Sequence, residues 1–213
     1  MSRPDAARPP SLPSVASSAG REAEDSVGAG AAAAPSTPAE TLFEAAWQCE
    51  LAGRDADATS LYLAASDRAT DPRLIVETAF RLAWIALRAG QHAAAEPHLS
   101  RALALAQAHA LAGPTLSHAR YWYAVCVEHA QRLVEAASLY LQVVAEGDPQ
   151  LWHEAAYRRV ACLVQIGDLA GAVDAVDQLL TRELPVSDEA RLAALRSLAH
   201  DERTRIERAL AAA

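Results

Sequence analysis

The chain contains no lysine and no asparagine, so all 19 of its basic residues are arginine. Codons for both missing residues begin with AA, and a GC-rich gene accounts for the pair of absences. The chemical consequences hold regardless. Without lysine there is no Schiff base, no phosphate-loop lysine and no lysine general base. Without asparagine there is no N-glycosylation acceptor. Aromatic residues are scarce, at 5% of 213 residues. The three cysteines, Cys49, Cys126 and Cys162, are an odd number set far apart inside apolar helical patterns. That argues against a disulfide framework and for a reducing compartment, expected to be the cytoplasm. No apolar run reaches the roughly 18 residues that a membrane span needs. The opening MSRPDAARPPSLPSVASSAG has no apolar stretch behind a basic start, so a secretory signal is not expected.

What is abundant is alanine, 52 residues in all. A core rich in alanine lets backbones approach closely, which suits packed helices better than a β-sandwich. The net charge is −8. Nonspecific nucleic-acid binding needs a basic face that displaces counterions, so this balance argues against it.

Residues 1–38 hold six of the eleven prolines together with Ser, Gly and an alanine run. This composition has no periodic apolar face and is expected to be a disordered tail. From residue 39 to 213 the pattern is amphipathic helix, with Pro72, Pro114, Pro149 and Pro185 between segments. Pro97 is the exception and must sit in the first turns of its helix or kink it.

Within that region the sequence repeats. Glu40-Thr-Leu-Phe-Glu-Ala-Ala-Trp47, ending at Ala52-Gly53, matches Glu77-Thr-Ala-Phe-Arg-Leu-Ala-Trp84, ending at Ala89-Gly90. Weaker copies run from His118 to Gln131 and from Glu154 to Gly167. A second segment follows each end with a small residue, then a large one four later, then an apolar one three later. These are Ala58-Tyr62-Ala65, Ala95-Leu99-Ala102, Ala136-Tyr140-Val143 and Ala172-Val176-Leu179. That spacing places each set on one helical face.

With its small residues Ala46, Ala83 and Ala124, its turn glycines Gly53, Gly90 and Gly167, and the second-segment sites above, the chain resembles the tetratricopeptide repeat family over residues 39–182. It departs from the family in spacing, with steps of 37, 41 and 36 residues against 34. Gln131 replaces a turn glycine, and Val160 replaces a small residue. The resemblance implies an all-α, right-handed superhelical solenoid of antiparallel helix pairs. The expected repeats are about 39–72, 76–111, 117–149 and 153–184, with a capping helix at 187–211. Ser187 is the expected cap of that last helix, with Asp188 and Glu189 in its first turn. Its apolar stripe is Leu192, Leu195, Leu198, Ile206 and Leu210, and Arg191, Arg196, Asp201, Glu202, Arg203 and Arg205 are expected to face water.

No catalytic signature is present: no glycine-rich phosphate loop and no G-x-S-x-G turn. His153-Glu154-Ala-Ala-Tyr157 begins like a zinc-protease helix but has Tyr157 where the second histidine belongs. Cys126 and His129 lie one turn apart and could share a metal with His118 or His153; buried thiols are the simpler reading. Neither an enzymatic activity, a cofactor nor a metal is expected.

By resemblance, first helices line the concave surface of such solenoids. Phe43, Phe80, Tyr121 and Tyr157 then align, as do Trp47, Trp84, Val125 and Ala161 four residues on. Glu40, Glu77, His118 and Glu154 lie one turn earlier, and Arg81, Arg88, His129 and Arg158 edge the face. Trp122 fits groove or core, and Trp152 fits a helix start at a repeat junction. Apolar anchors and arginines suit a peptide or helix of a partner protein. The aromatics could equally pack between adjacent first helices, although Trp47 and Trp84 are expected to be exposed. Family members that hold acidic chaperone tails do so with lysines and asparagines, which this chain lacks. The expected function is a noncatalytic adaptor or scaffold. A chaperone for a secreted or assembling client, as some bacterial relatives of the fold are, or an accessory subunit of an enzyme complex are the alternatives.

Overall fold

The computed structural model describes residues 37–182 and 189–211. The expected tail lies almost wholly outside the described residues, and so does the proposed cap Ser187. Among the described residues there are nine helices and no strand. They are α1 (Pro38–Leu51), α2 (Asp55–Arg68), α3 (Pro72–Arg88), α4 (His92–Ala108), α5 (Pro114–His129), α6 (Leu133–Glu146), α7 (Trp152–Ile166), α8 (Leu169–Thr181) and α9 (Glu189–Ala211). None is long and apolar enough to cross a membrane.

The helices begin where the local chemistry can satisfy their first amides. Thr37 accepts from the Glu40 amide at 3.2 Å while the Glu40 carboxylate accepts from the Thr37 amide at 2.7 Å, a reciprocal cap at the start of α1. Asp71 caps α3 through the Arg73 amide, and Asp168 caps α8 through the Gly171 amide, both at 2.9 Å. Pro38, Pro72 and Pro114 occupy first helical positions, where no N–H is missed. Pro97 sits inside α4, which runs through it. The carbonyl it leaves without a donor belongs to Ala93, an exposed residue, so water can replace the lost bond.

The first helix of every pair ends on the same motif. Gly53, Gly90, Gln131 and Gly167 all adopt left-handed φ, at 71°, 71°, 62° and 81°. The following amide reaches back to the carbonyl five residues earlier: Arg54 to Cys49, Gln91 to Ala86, Arg132 to Val127 and Asp168 to Leu163, at 2.9–3.1 Å. Gln131 therefore does the work of a turn glycine despite its side chain.

These turns fold the helices into antiparallel pairs, α1/α2, α3/α4, α5/α6 and α7/α8, and each second helix packs on the next first helix. The internal register is uniform. Ala46, Ala83, Ala124 and Val160 on the first helices and Ala58, Ala95, Ala136 and Ala172 on the second all have zero exposure. Tyr62, Leu99, Tyr140 and Val176 are likewise fully buried, as are Ala65, Ala102, Val143 and Leu179. Alanines set the close approach of paired helices, and the larger residue four positions on fills the space beyond it. The expected all-α solenoid of antiparallel pairs is what the chain forms.

Helix α9 packs on α8 and α7 through Leu192, Leu195, Ala199 and Ile206. The sequence reading of this helix needs two corrections. Leu198 and Leu210 are exposed rather than part of the buried stripe. Arg196, Glu202 and Arg203 are only partly exposed, because α9 leans its polar flank on α8: Arg203 pairs with Asp177, and Arg196 donates to the Arg182 carbonyl at 3.1 Å.

Candidate functional site

Positions on the first helices are conveniently counted back from the left-handed turn residue. Ten residues before it stand Phe43, Phe80, Tyr121 and Tyr157; six before it stand Trp47, Trp84, Val125 and Ala161. Their environments differ sharply. Phe80 is 1% exposed and Trp84 7%; Tyr121 and Val125 are buried with them. Phe43 and Trp47 on α1, and Tyr157 and Ala161 on α7, are half-buried. Trp84, expected on an open face, instead forms part of the joint between the second and third pairs.

The residue nine before the turn decides this, because it reaches back over the preceding pair. Over Trp47 lies the Arg81 guanidinium, 4.0 Å from the ring centroid. Over Trp84 lies Trp122, edge-on at 5.7 Å between centroids. Trp122 itself meets Tyr121 edge-on at 5.2 Å, so Trp122 belongs mainly to the joint. Trp152 opens α7 and is fully buried, with Arg182 near its ring.

Arg81 and Arg158 are not free to meet a partner's carboxylates. Arg81 is 3% exposed and donates from Nε to Glu77 at 3.1 Å, with Glu50 at 3.9 Å. Glu50 accepts from the Tyr62 hydroxyl at 2.8 Å and has Arg88 at 3.8 Å, which in turn holds Asp55 at 2.8 Å. Two repeats later the cluster recurs. Arg158 reaches Glu128 at 3.0 Å and Glu154 at 3.4 Å, and Glu128 accepts from the Tyr140 hydroxyl at 2.7 Å. Burial foremost, then the adjoining carboxylates Glu50 and Glu128, hold the Tyr62 and Tyr140 phenols well above their ordinary value. At Arg158 burial acts to lower the guanidinium, but Tyr121, Tyr140, Glu128 and Glu154 outweigh it and leave it raised.

In the middle joint the same four places hold Leu87, Leu99, Trp122 and His118. At these places the first and third joints are closed by carboxylate–arginine–tyrosine clusters, buried in the first and partly buried in the third, and the second by apolar and aromatic packing, beside which Arg132 pairs with Glu96 and Thr115 donates to Glu77. Sequence reasoning missed this alternation. Its signal was present in Glu50 and Glu128 three residues before their turns and in Tyr62 and Tyr140 nine after, but it recurs only at every second repeat.

His129 is exposed at the end of α5. Cys126 and Cys162 are buried, free and pushed up to about 12, by burial first and then by Glu96 and Glu128 respectively. Such thiols are poor nucleophiles and poor metal ligands at neutral pH. Among the described residues no group of three His, Cys, Asp or Glu side chains is placed to hold a metal.

The architecture matches known solved structures. A putative kinesin light chain from Podosopora anserina with nearly identical TPR-like repeats aligns over 81% of this chain and 86% of its own, at 18% identity and a TM-score of 0.55. The chain has a TPR-like fold. A single-substitution variant of that kinesin light chain gives the same figures, and BtubC (BKLC) from P. vanneervenii aligns over 82% and 93% at 16% identity and a TM-score of 0.55. At these identities the likeness concerns the fold alone. No protein-family model and no curated protein matches the sequence.

Proposed function

We propose that this chain is a noncatalytic adaptor that holds a peptide or helix of a partner protein against its first-helix face. The observation that carries the reading is Trp47: Arg81, pinned by Glu77, holds the ring in place, yet the ring stays half-open. Phe43 and Leu51 flank it at helical spacing on α1, and Leu51 is 63% exposed. A fixed, partly exposed aromatic with apolar neighbours can bury area on binding at little conformational cost. The TPR-like repeat fold that the chain shares with these structures fits such a role. Three unpaired cysteines suit the cytoplasm as the place of work.

Selection of peptides from a displayed library against the purified chain, followed by titration of the selected peptide, tests this reading. Trp47→Ala should weaken that peptide at least tenfold while leaving the helical circular-dichroism spectrum unchanged. Failure to select any peptide, or equal affinity for Trp47→Ala, would count against the adaptor reading.

A further inference from the structure

The first two joints between successive pairs share a contact at the turn edge of the solenoid. The residue two after one turn meets the residue two before the next. In the first joint these are Asp55 and Arg88, an ion pair at 2.8 Å. In the middle joint they are His92, at the start of α4, and His129, at the end of α5. Their rings stack face to face, 3.7 Å between centroids and 12° from parallel. The pair has replaced opposite charges by two groups that acquire the same charge in mild acid.

We propose that the His92–His129 stack makes the middle joint acid-sensitive: once both imidazoles are protonated, like charges lie face to face and the second and third helix pairs loosen at that edge. Parallel stacked rings do not converge their lone pairs on a common point, so the arrangement suits a charge switch rather than a metal.

The surroundings of His92 favour its neutral form. The Nδ1 atom of His92 is buried and meets no protein hydrogen-bond partner. Glu96, one turn along α4, is the nearest carboxylate on that element, and Arg132 from the turn after α5 already engages it at 2.7 Å. From α5 the facing group is His129. From α7 Arg158 adds positive charge, itself matched by Glu128 and Glu154. Burial first, then His129 and Arg158, hold His92 below the ordinary imidazole value. The folded chain therefore binds fewer protons than the unfolded chain as pH falls through about 6.5. The contribution of the stack is complete above that pH and is lost below it. Among the described residues the middle joint has no buried arginine–carboxylate pair of the Arg81 kind to compensate.

The test compares melting temperatures at pH 7.5 and pH 5.5 for the full chain and for His129→Gln, an exposed position where the helix tolerates the change. The wild-type chain should lose about 2–4 °C more than the variant over this interval. A paired variant, His92→Asp with His129→Arg, imports the contact of the first joint and should flatten the pH dependence in the same way. His98, which burial and Arg101 also hold down, is untouched in both variants and so cancels from the comparison. Side-chain NMR should show His92 titrating below 6.5 in the wild type and moving upward in His129→Gln. Equal losses for wild type and both variants, or a His92 midpoint at or above 6.5, would overturn the proposal.

Discussion

At the scale of the residue, the most consequential groups are charges that the fold has already spent on itself. Arg81 bridges two carboxylates across the first joint, and Arg158 does the same across the third. Removing one partner from such a pair leaves a buried charge unanswered, which costs far more than the intact pair contributes. Arg81→Met should destabilise the chain by about 3 kcal/mol in urea unfolding. Adding Glu50→Gln to it should recover part of that loss, because the stranded carboxylate is gone. The buried phenols give a second expectation. Tyr62 and Tyr140 are raised in the folded state, so their contribution is complete below pH 10 and declines as pH rises beyond it. A spectrophotometric titration should show these two tyrosines ionising only as helical signal is lost. In a Tyr62→Phe, Tyr140→Phe chain the alkaline fall in stability should be shallower. These pairings were hard to see in the sequence. Arg81 is one helical turn from Glu77 and legible as a local pair, but Glu50 lies in the preceding repeat and its equivalent in the next repeat is Leu87. A feature that skips a repeat is hidden from a comparison of neighbours.

At the scale of the element, the turns and second helices were the legible part. Ala58-Tyr62-Ala65 and its three counterparts stand out by spacing alone, and every one of these twelve residues is fully buried. Spacing works there because a second helix has a neighbour on the same side in every repeat. The Gln131 turn is visible in the sequence as an anomaly, and the structure shows its cost: a side chain held at φ 62°. Replacing it by glycine removes that strain. Gln131→Gly should stabilise the chain by about 1 kcal/mol, raising its melting temperature by roughly 2–4 °C. By contrast, the exposure of first-helix aromatics was not legible. Whether Trp47 or Trp84 is covered depends on the residue nine before the following turn, Arg81 in one case and Trp122 in the other. The terminal helix departs from its sequence reading for a related reason. Leu198 lies between buried Leu195 and Ala199 but is turned off their stripe, and Leu210 lies past Ile206, the last buried residue of the helix.

At the scale of the whole domain, the order of joints is polar, apolar, polar. Polar clusters fix register by geometry, since each carboxylate has one arginine and one tyrosine to meet. The middle joint relies on shape, through Trp84, Trp122 and Tyr121. Its tolerance to truncation is therefore lower: Trp122→Ala, which removes a partly buried ring from that joint, should cost about 2–3 kcal/mol by chemical denaturation. The first-helix face is divided by the same logic into a closed section at the second and third pairs and open sections at α1 and α7. Our proposal places partner binding on the α1 section.

Side-by-side melting curves of Trp47→Ala and Trp84→Ala test that division most directly. Trp84→Ala should lower the melting temperature by roughly 6–20 °C, as expected for about 3–5 kcal/mol, and Trp47→Ala by no more than about a third as much. Equal losses, or a larger loss at Trp47, would contradict it and return the α1 face to the structural core.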